Sequence, residues 1–263
     1  MRYRFPAALA AFAAALALAA PAQAAVVISQ VYGGGGNSGA TLQHDFIEIF
    51  NNGTTAQSIG GWSVQYASAT GTSWQVTAIP AGTSLQPGGY LLIREAVGAG
   101  GSIPVVGDVT GTIAMSGTSG KVALANTSAA LTGSAAPTGG SVVDIVSYGS
   151  STPTEGSPTA GLSNTTAALR NSSGCADTNN NSADFSVGTP APRNSTSALA
   201  PCDGSGGGGT TPVAAAIYTI QGSAAASPML GQVVMTSGVV TKLLNNGFSV
   251  SYTHLTLPTI YSV

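Results

Sequence analysis

From Val26 onward, short runs of β-branched and aromatic residues alternate with clusters of Gly, Asn, Ser and Pro. The clearest runs are 26–31, 45–50, 62–66, 74–79, 90–94, 121–125 and 142–148. Turn signals bound them: Asn52-Gly53, Gly60-Gly61, Pro87-Gly88-Gly89 and Gly139-Gly140. Short strands punctuated in this way predict an all-β sandwich or barrel. Within 45–50, the large apolar residues Phe46, Ile49 and Phe50 are not in phase with a period of two. That predicts either a bulge or a strand buried on both faces. Past the N-terminal segment, no stretch sustains helical periodicity.

The N-terminal segment has a different pattern. Arg2 and Arg4 precede an apolar stretch over 7–20, and Ala22-Gln23-Ala24 follows it. This reads as a secretory signal over 1–24, cleaved after Ala24. The apolar run is shorter than the roughly 18–20 residues that a membrane span needs. No later segment reads as a span, so the expected product is exported, extracellular or periplasmic. The two cysteines, Cys175 and Cys202, are expected to pair in an oxidising compartment. After Cys202 the stretch 203–212 is Gly-, Ser- and Thr-rich and reads as a flexible linker. The expected organisation is a sandwich over 25–202, the linker, and the start of a second module from 213.

Composition narrows the partners. Only 6% of residues are charged, with 7 Lys and Arg against 9 Asp and Glu, where soluble chains average about 25%. Without Arg2 and Arg4 the balance is more acidic still. A broad basic surface for gripping nucleic acid is therefore excluded. A hydrophobic content of 43% argues against disorder. A coiled coil would lack charged residues for its flanking positions. Small polar residues take the place of Lys and Glu on strands and loops.

Several segments resemble the lamin-tail domain, an immunoglobulin-like β-sandwich. They are Val27-Ile28-Ser29-Gln30-Val31-Tyr32-Gly33, Asp45-Phe46-Ile47-Glu48-Ile49-Phe50-Asn51, Gly61-Trp62-Ser63-Val64, Gly88-Gly89-Tyr90-Leu91-Leu92-Ile93 and Val143-Asp144-Ile145-Val146-Ser147-Tyr148-Gly149. Further on come Ala168-Leu169-Arg170, Asp177-Thr178-Asn179-Asn180-Asn181-Ser182-Ala183-Asp184-Phe185 and Pro190-Ala191-Pro192-Arg193-Asn194. These resemble the version attached to secreted bacterial endonuclease/exonuclease/phosphatase-type nucleases. Ile220-Gln221-Gly222, Ser227-Pro228, Gly231-Gln232-Val233, Gly238-Val239-Val240 and Asn246-Gly247-Phe248 resemble the OB-like module that follows in those proteins. The resemblance implies a truncated OB-like domain over 213–249. Residues 250–263 resemble the translated read-through of a transposase sequencing adapter and are expected to be an artefact. The implied role is a non-catalytic accessory part of a nuclease whose catalytic domain, with its divalent metal, is missing from this chain. The alternative is an extracellular adhesion or surface-binding module with no enzyme attached. The implied partners are the missing catalytic domain and a cell-envelope or extracellular polymer, with no strong nucleic-acid binding by this part.

Candidate chemistry is thin, and no catalytic or cofactor-binding residue is expected. His44 is the one histidine outside the adapter-like segment, and it is expected to end a loop before a strand. The loop Gly33-Gly34-Gly35-Gly36-Asn37-Ser38-Gly39 lacks the Lys-Ser/Thr of a phosphate cradle and is expected to be flexible. Asp177, Asn179, Asn181 and Asp184 place oxygen ligands near one another, which makes a weak candidate Ca²⁺ site. The competing and favoured reading is a turn network bracing the chain beside Cys175. Asp45 and Glu48 could do acid/base work as a pair, but hydrogen bonding at a loop or strand edge is the stronger expectation. Trp62, Trp74, Tyr66 and Tyr90 are expected to be core or cross-strand partners.

Overall fold

A computed structural model of the chain describes residues 26–133, 140–202, 213–222, 234–236, 239–244 and 247–251. Twelve strands build the main body: β1 Val27–Tyr32, β2 His44–Phe50, β3 Gln57–Ser58, β4 Ser63–Ser68, β5 Gln75–Ala78, β6 Ser84–Leu85, β7 Tyr90–Val97, β8 Val109–Thr110, β9 Gly120–Ala125, β10 Val142–Tyr148, β11 Ala167–Arg170 and β12 Phe185–Gly188. One sheet has the order β12-β11-β1-β2-β7-β8 and the other β10-β9-β4-β5. All pairings in these two sheets are antiparallel except β7 with β8. The fold is all-β, an immunoglobulin-like sandwich.

The main core lies between the sheets. Ile28, Val31, Ile47, Ile49, Leu91 and Ile93 from the first meet Val64, Tyr66, Val122, Leu124, Val146 and Tyr148 from the second. Each strand contributes alternate residues, as period-two side-chain direction requires. The outer faces carry smaller clusters. Tyr32, Phe46, Leu92 and Val105 pack on the six-stranded sheet. Trp74, Ala123, Leu131 and Ile145 pack on the four-stranded one.

The irregular phase of 45–50 resolves as double-sided burial. Ile47 and Ile49 enter the main core, whereas Phe46 and Phe50 join clusters on the other face. A register shift falls instead on β1, between Ile28 and Gln30. It makes Ser29 the extra residue opposite Glu48. A second shift lies between His44 and Phe46 where β2 meets β7.

The first half of the glycine loop after β1 is packed rather than open, which corrects the expectation of a flexible loop over 33–36, while 37–39 are exposed. Gly33 to Gly36 are all buried. A Cβ on Gly35 would strike the His44 backbone, and one on Gly36 would strike Gly98. Gly36 also has a φ of 66°, which side chains rarely adopt. Glycine is needed here for close backbone approach.

Residues 189–202 form no strand. They run as a strap over the outer face of the six-stranded sheet. Ala191 exchanges two hydrogen bonds with the Gln30 side chain, and Ala200 N–H donates to Gly88 O. The strap ends in the Cys175–Cys202 disulfide.

Further on, β13 Val213–Ala214 pairs in parallel with β14 Val234–Met235, and β15 Val239–Leu244 pairs antiparallel with β16 Gly247–Ser251. A short helix, α2 Ile217–Gln221, lies between β13 and β14 in sequence, after the single-turn α1 Asn181–Asp184 of the sandwich. Strand β16 enters the adapter-like stretch by two residues. The signal 1–24, the linker 203–212 and residues 252–263 lie outside the described residues. No described helix is long and apolar enough to cross a membrane.

Candidate functional site

Three buried polar arrangements hold the chemistry of the sandwich. The first lies under the strap. The bulge on β1 brings two neighbours toward Glu48. Ser29 Oγ donates to its Oε1 at 2.6 Å and Gln30 Nε2 to its Oε2 at 3.0 Å. Arg193 completes the shell: its backbone N–H reaches Oε2 at 2.6 Å and its Nη2 reaches Oε1 at 2.7 Å. The Arg193 guanidinium also lies 4.0 Å from the centre of the Tyr90 ring, and Nη1 donates to the Tyr90 hydroxyl at 2.8 Å. Tyr90 in turn stacks on Phe50 at 4.8 Å. Burial pushes the Tyr90 hydroxyl up from its ordinary value.

The second arrangement closes one end of the sandwich. Residues 111–119 cross from β8 to β9 without joining either sheet. Two backbone bonds tie their start to β7, Gly111 N–H to Arg94 O at 2.7 Å and Ala96 N–H to Ile113 O at 3.1 Å, and side chains hold the rest. Met115 N–H donates to Asp45 Oδ2 at 2.8 Å, and Ile113 N–H to Glu95 Oε2 at 2.9 Å. Ser116 N–H donates to the Tyr66 hydroxyl, and the Tyr148 hydroxyl donates to Ser116 O at 2.8 Å. Asp45 Oδ1 accepts from Gly35 N–H at 2.8 Å, which ties the glycine loop to the same place. Burial lifts Asp45 to about 7 against its two backbone donors. Burial also lifts Glu95 to about 7, opposed by hydrogen bonds from Thr77 and Ile113 and assisted by the charge of Asp45. Glu95 Oε1 is buried and accepts no hydrogen bond from the described residues.

The third lies beside the disulfide. Arg170 is fully buried. Its Nη2 meets Asp144 Oδ2 at 2.6 Å, Nε donates to Ile28 O, Nη1 donates to Ala176 O and lies 3.5 Å from Asp177 Oδ1. The guanidinium also stands 4.6 Å from the Phe185 ring centre. Glu155 faces this acidic neighbourhood. Burial, then the charges of Asp144 and Asp177, lift it to about 8 against the pull of Arg170.

The four residues of the weak Ca²⁺ expectation, Asp177, Asn179, Asn181 and Asp184, are drawn into separate tasks. Asp177 approaches Arg170 and accepts from Asn179 N–H at 3.4 Å. Asp184 accepts from Thr178 N–H, Thr178 Oγ1 and Asn180 N–H. Asn181 is wholly buried and caps the β10 edge: Oδ1 accepts from Ser147 N–H at 2.7 Å, and Nδ2 donates to Ile145 O at 3.0 Å. Asn179 has a φ of 57°. Among the described residues no group of three His, Cys, Asp or Glu could hold a metal.

Asp45 and Glu48 do not act as a pair. Alternation along β2 puts Asp45 toward the main core and Glu48 toward the strap. They hydrogen-bond loops, as expected, Asp45 accepting from Gly35 and Met115 N–H and Glu48 from Arg193 N–H, but not a strand edge, because β2 lies inside the six-stranded sheet. His44 opens β2 rather than ending a loop, and its Nδ1 accepts from Val105 N–H at 3.4 Å. Burial, then nearby Arg94, lowers its pKa. Trp74 is buried and donates to Gly133 O, Tyr66 belongs to the main core, and Trp62 packs against it.

Sequence reasoning missed Glu95, Glu155 and the pairing of Asp144 with Arg170. The available signal was a charged residue within a strand-like run, as in Val142-Val143-Asp144-Ile145-Val146. Such residues are almost never buried without a partner.

The model of the Lamin Tail Domain family matches residues 19–176. No curated protein matches the chain. Strand β12 and the strap lie beyond the matched stretch.

Proposed function

The chain belongs to the lamin tail domain family, a non-catalytic immunoglobulin-like fold, and from that premise we propose that it is the accessory part of a secreted bacterial nuclease. Catalysis in this reading belongs to a domain outside the chain, and the sandwich positions that domain or anchors it to a surface polymer. The observation that carries the reading is where the cations go. Arg170 and Arg193 are spent on Asp144, Asp177 and Glu48. Lys121 is buried and donates to Gly71 O at 2.8 Å. Arg94 is half-buried and donates to Thr110 Oγ1 at the surface, and a sandwich that commits most of its few cations to internal partners has little with which to neutralise phosphates. Substrate grip and hydrolysis then fall to another domain. The tail motifs 168–170 and 190–194, which resemble the nuclease-attached version, support the same assignment. Export through the 1–24 signal fits the disulfide.

A second reading, an adhesion or surface-binding module without an enzyme, draws on one rim of the six-stranded sheet. Val97, Ile103 and Val106 are exposed there at 66%, 50% and 71%. Reading the gene through and beyond the codon for Phe248 separates the two. A metal-dependent phosphodiesterase-type domain in frame supports the nuclease reading. A sorting signal or further sandwiches would sink it.

A further inference from the structure

A carboxylate taken out of water favours its neutral form unless a cation or several donors hold its charge. Asp45 and Glu95 are only 4% and 2% exposed. The ion pairs of Arg170 and Arg193 go to Asp144, Asp177 and Glu48 instead. The two acids differ in their donors. Asp45 receives one backbone N–H on each oxygen, from Gly35 and Met115, which offsets part of the effect of its burial. Glu95 receives Ile113 N–H on Oε2 and a hydrogen bond from Thr77, while its other oxygen, Oε1, is buried and accepts nothing from the described residues. That is a setting for a proton. Both acids hold the same crossing segment, at positions two residues apart.

We propose that Glu95 is a proton-operated latch on residues 111–117: protonated, it lets the segment seal that end of the sandwich, and ionised beside Asp45, it loosens it. Among the described residues, the groups around the pair offer no compensating positive charge. Tyr66 on β4 and Tyr148 on β10 are engaged with Ser116. Tyr32 on β1 feels the charge of Asp45 and is itself raised by burial. Thr77 on β5 gives Glu95 a hydrogen bond that favours its charged form but brings no positive charge, and burial outweighs it. His44 and Arg94 neighbour the pair in sequence, but strand alternation turns them to the opposite face. His44 accepts from Val105 N–H, and Arg94 donates to Thr110 Oγ1.

The sign follows from the raised values. Asp45 moves from 3.8 and Glu95 from 4.5, each to about 7. The folded chain therefore holds protons that the unfolded chain has released. Stability from these groups is greatest below the unfolded values and falls as pH rises toward about 7.

The test is amide hydrogen exchange on the full chain from pH 5 to pH 9, corrected for the intrinsic base-catalysed rate. Protection of Ile113, Met115 and Ser116 is expected to fall by roughly tenfold or more across the range, the ratio that corresponds to a pKa displaced by about one. Amides of Val64 and Val122 should change less. Glu95→Gln mimics the protonated state and should make that fall clearly shallower, leaving the part that Asp45 contributes. Protection independent of pH in the wild-type chain overturns the latch, as does an unchanged slope in Glu95→Gln. If the variant does not fold, the carboxyl carbon shift of Glu95 in the wild-type chain decides. A midpoint well above its ordinary value supports the latch, and one at that value overturns it.

Discussion

Asp45 and Glu48 stand on the same strand, three positions apart, and both are out of water. Glu48 meets an arginine, a serine and a glutamine beneath the strap. Asp45 meets only backbone donors at the end of the sandwich, and burial lifts it to about 7. The strap side neutralises a buried charge with a cation brought from a distant part of the chain. The sealed end leaves its acids to neutralise themselves with protons. Burial is nearly the same in both, and what differs is the cation beside Glu48.

The strongest way to break this contrast is Arg193→Ala. It would leave Glu48 buried without a cation, as Asp45 is now. Removing one partner of a fully buried pair costs about 3–5 kcal/mol; the Arg193 side chain is 29% exposed, so a loss nearer the lower end is expected, read by urea denaturation at pH 7. A loss below about 1 kcal/mol would mean that the pair behaves like an exposed one. Glu48→Gln combined with Arg193→Met removes both charges and should recover most of the loss.

Reduction of Cys175–Cys202 acts on the same side by freeing the end of the strap. The 27-residue separation corresponds to about 3–4 kcal/mol in the chain-entropy account. The melting temperature should fall in reductant, and the strap amides should exchange faster than those at 111–117. Equal acceleration at both places would erase the distinction between them.

Asn181 provides a neutral reference point. Its amide does for β10 what charged groups do elsewhere, pairing Ser147 N–H and Ile145 O. Asn181→Ala should cost about 1–3 kcal/mol by leaving buried backbone groups unmet, without the pH dependence expected at Glu95. A pH-dependent loss would tie Asn181 to Glu155, whose Oε2 it also approaches at 3.4 Å.

The smallest expected effect is that of Ca²⁺. Both oxygens of Asp184 already accept from protein donors, and Asp177 faces Arg170. Millimolar Ca²⁺ is expected to leave the melting temperature unchanged and to give no heat in calorimetry. A clear upward shift would make this corner a cation site after all.

The long strands were legible in the sequence because they alternate and end in turn residues. The runs at 45–50, 90–94 and 142–148 correspond to β2, β7 and β10, though β7 continues to Val97. The two-residue strands β3, β6 and β8 were not legible, since two residues show no period. Strands β11 and β12 were missed for a related reason. Ala167–Arg170 and Phe185–Gly188 are four residues each, and they become strands by pairing with β1 and with each other. The glycine loop misled because glycine-rich composition describes freedom and close packing equally well. Only the neighbours at His44, Gly98 and Ser116 tell the two apart.

The amino-acid order by itself determined the all-β class and most strand positions. It also made a pairing of the two cysteines the expected one. Those follow from side-chain alternation, turn chemistry and a count of two, all of which are local properties of the chain. The low charge content was also plain there, but not where the charges go. Only the tertiary structure decided that Arg193 reaches Glu48 across 145 positions and that Arg170 reaches Asp144 across 26. It also left Asp45 and Glu95 without an ion-pair partner among the described residues. The physical reason is that a buried charge is settled by what the fold places within about 3–4 Å of it, and no periodicity along a strand encodes that distance.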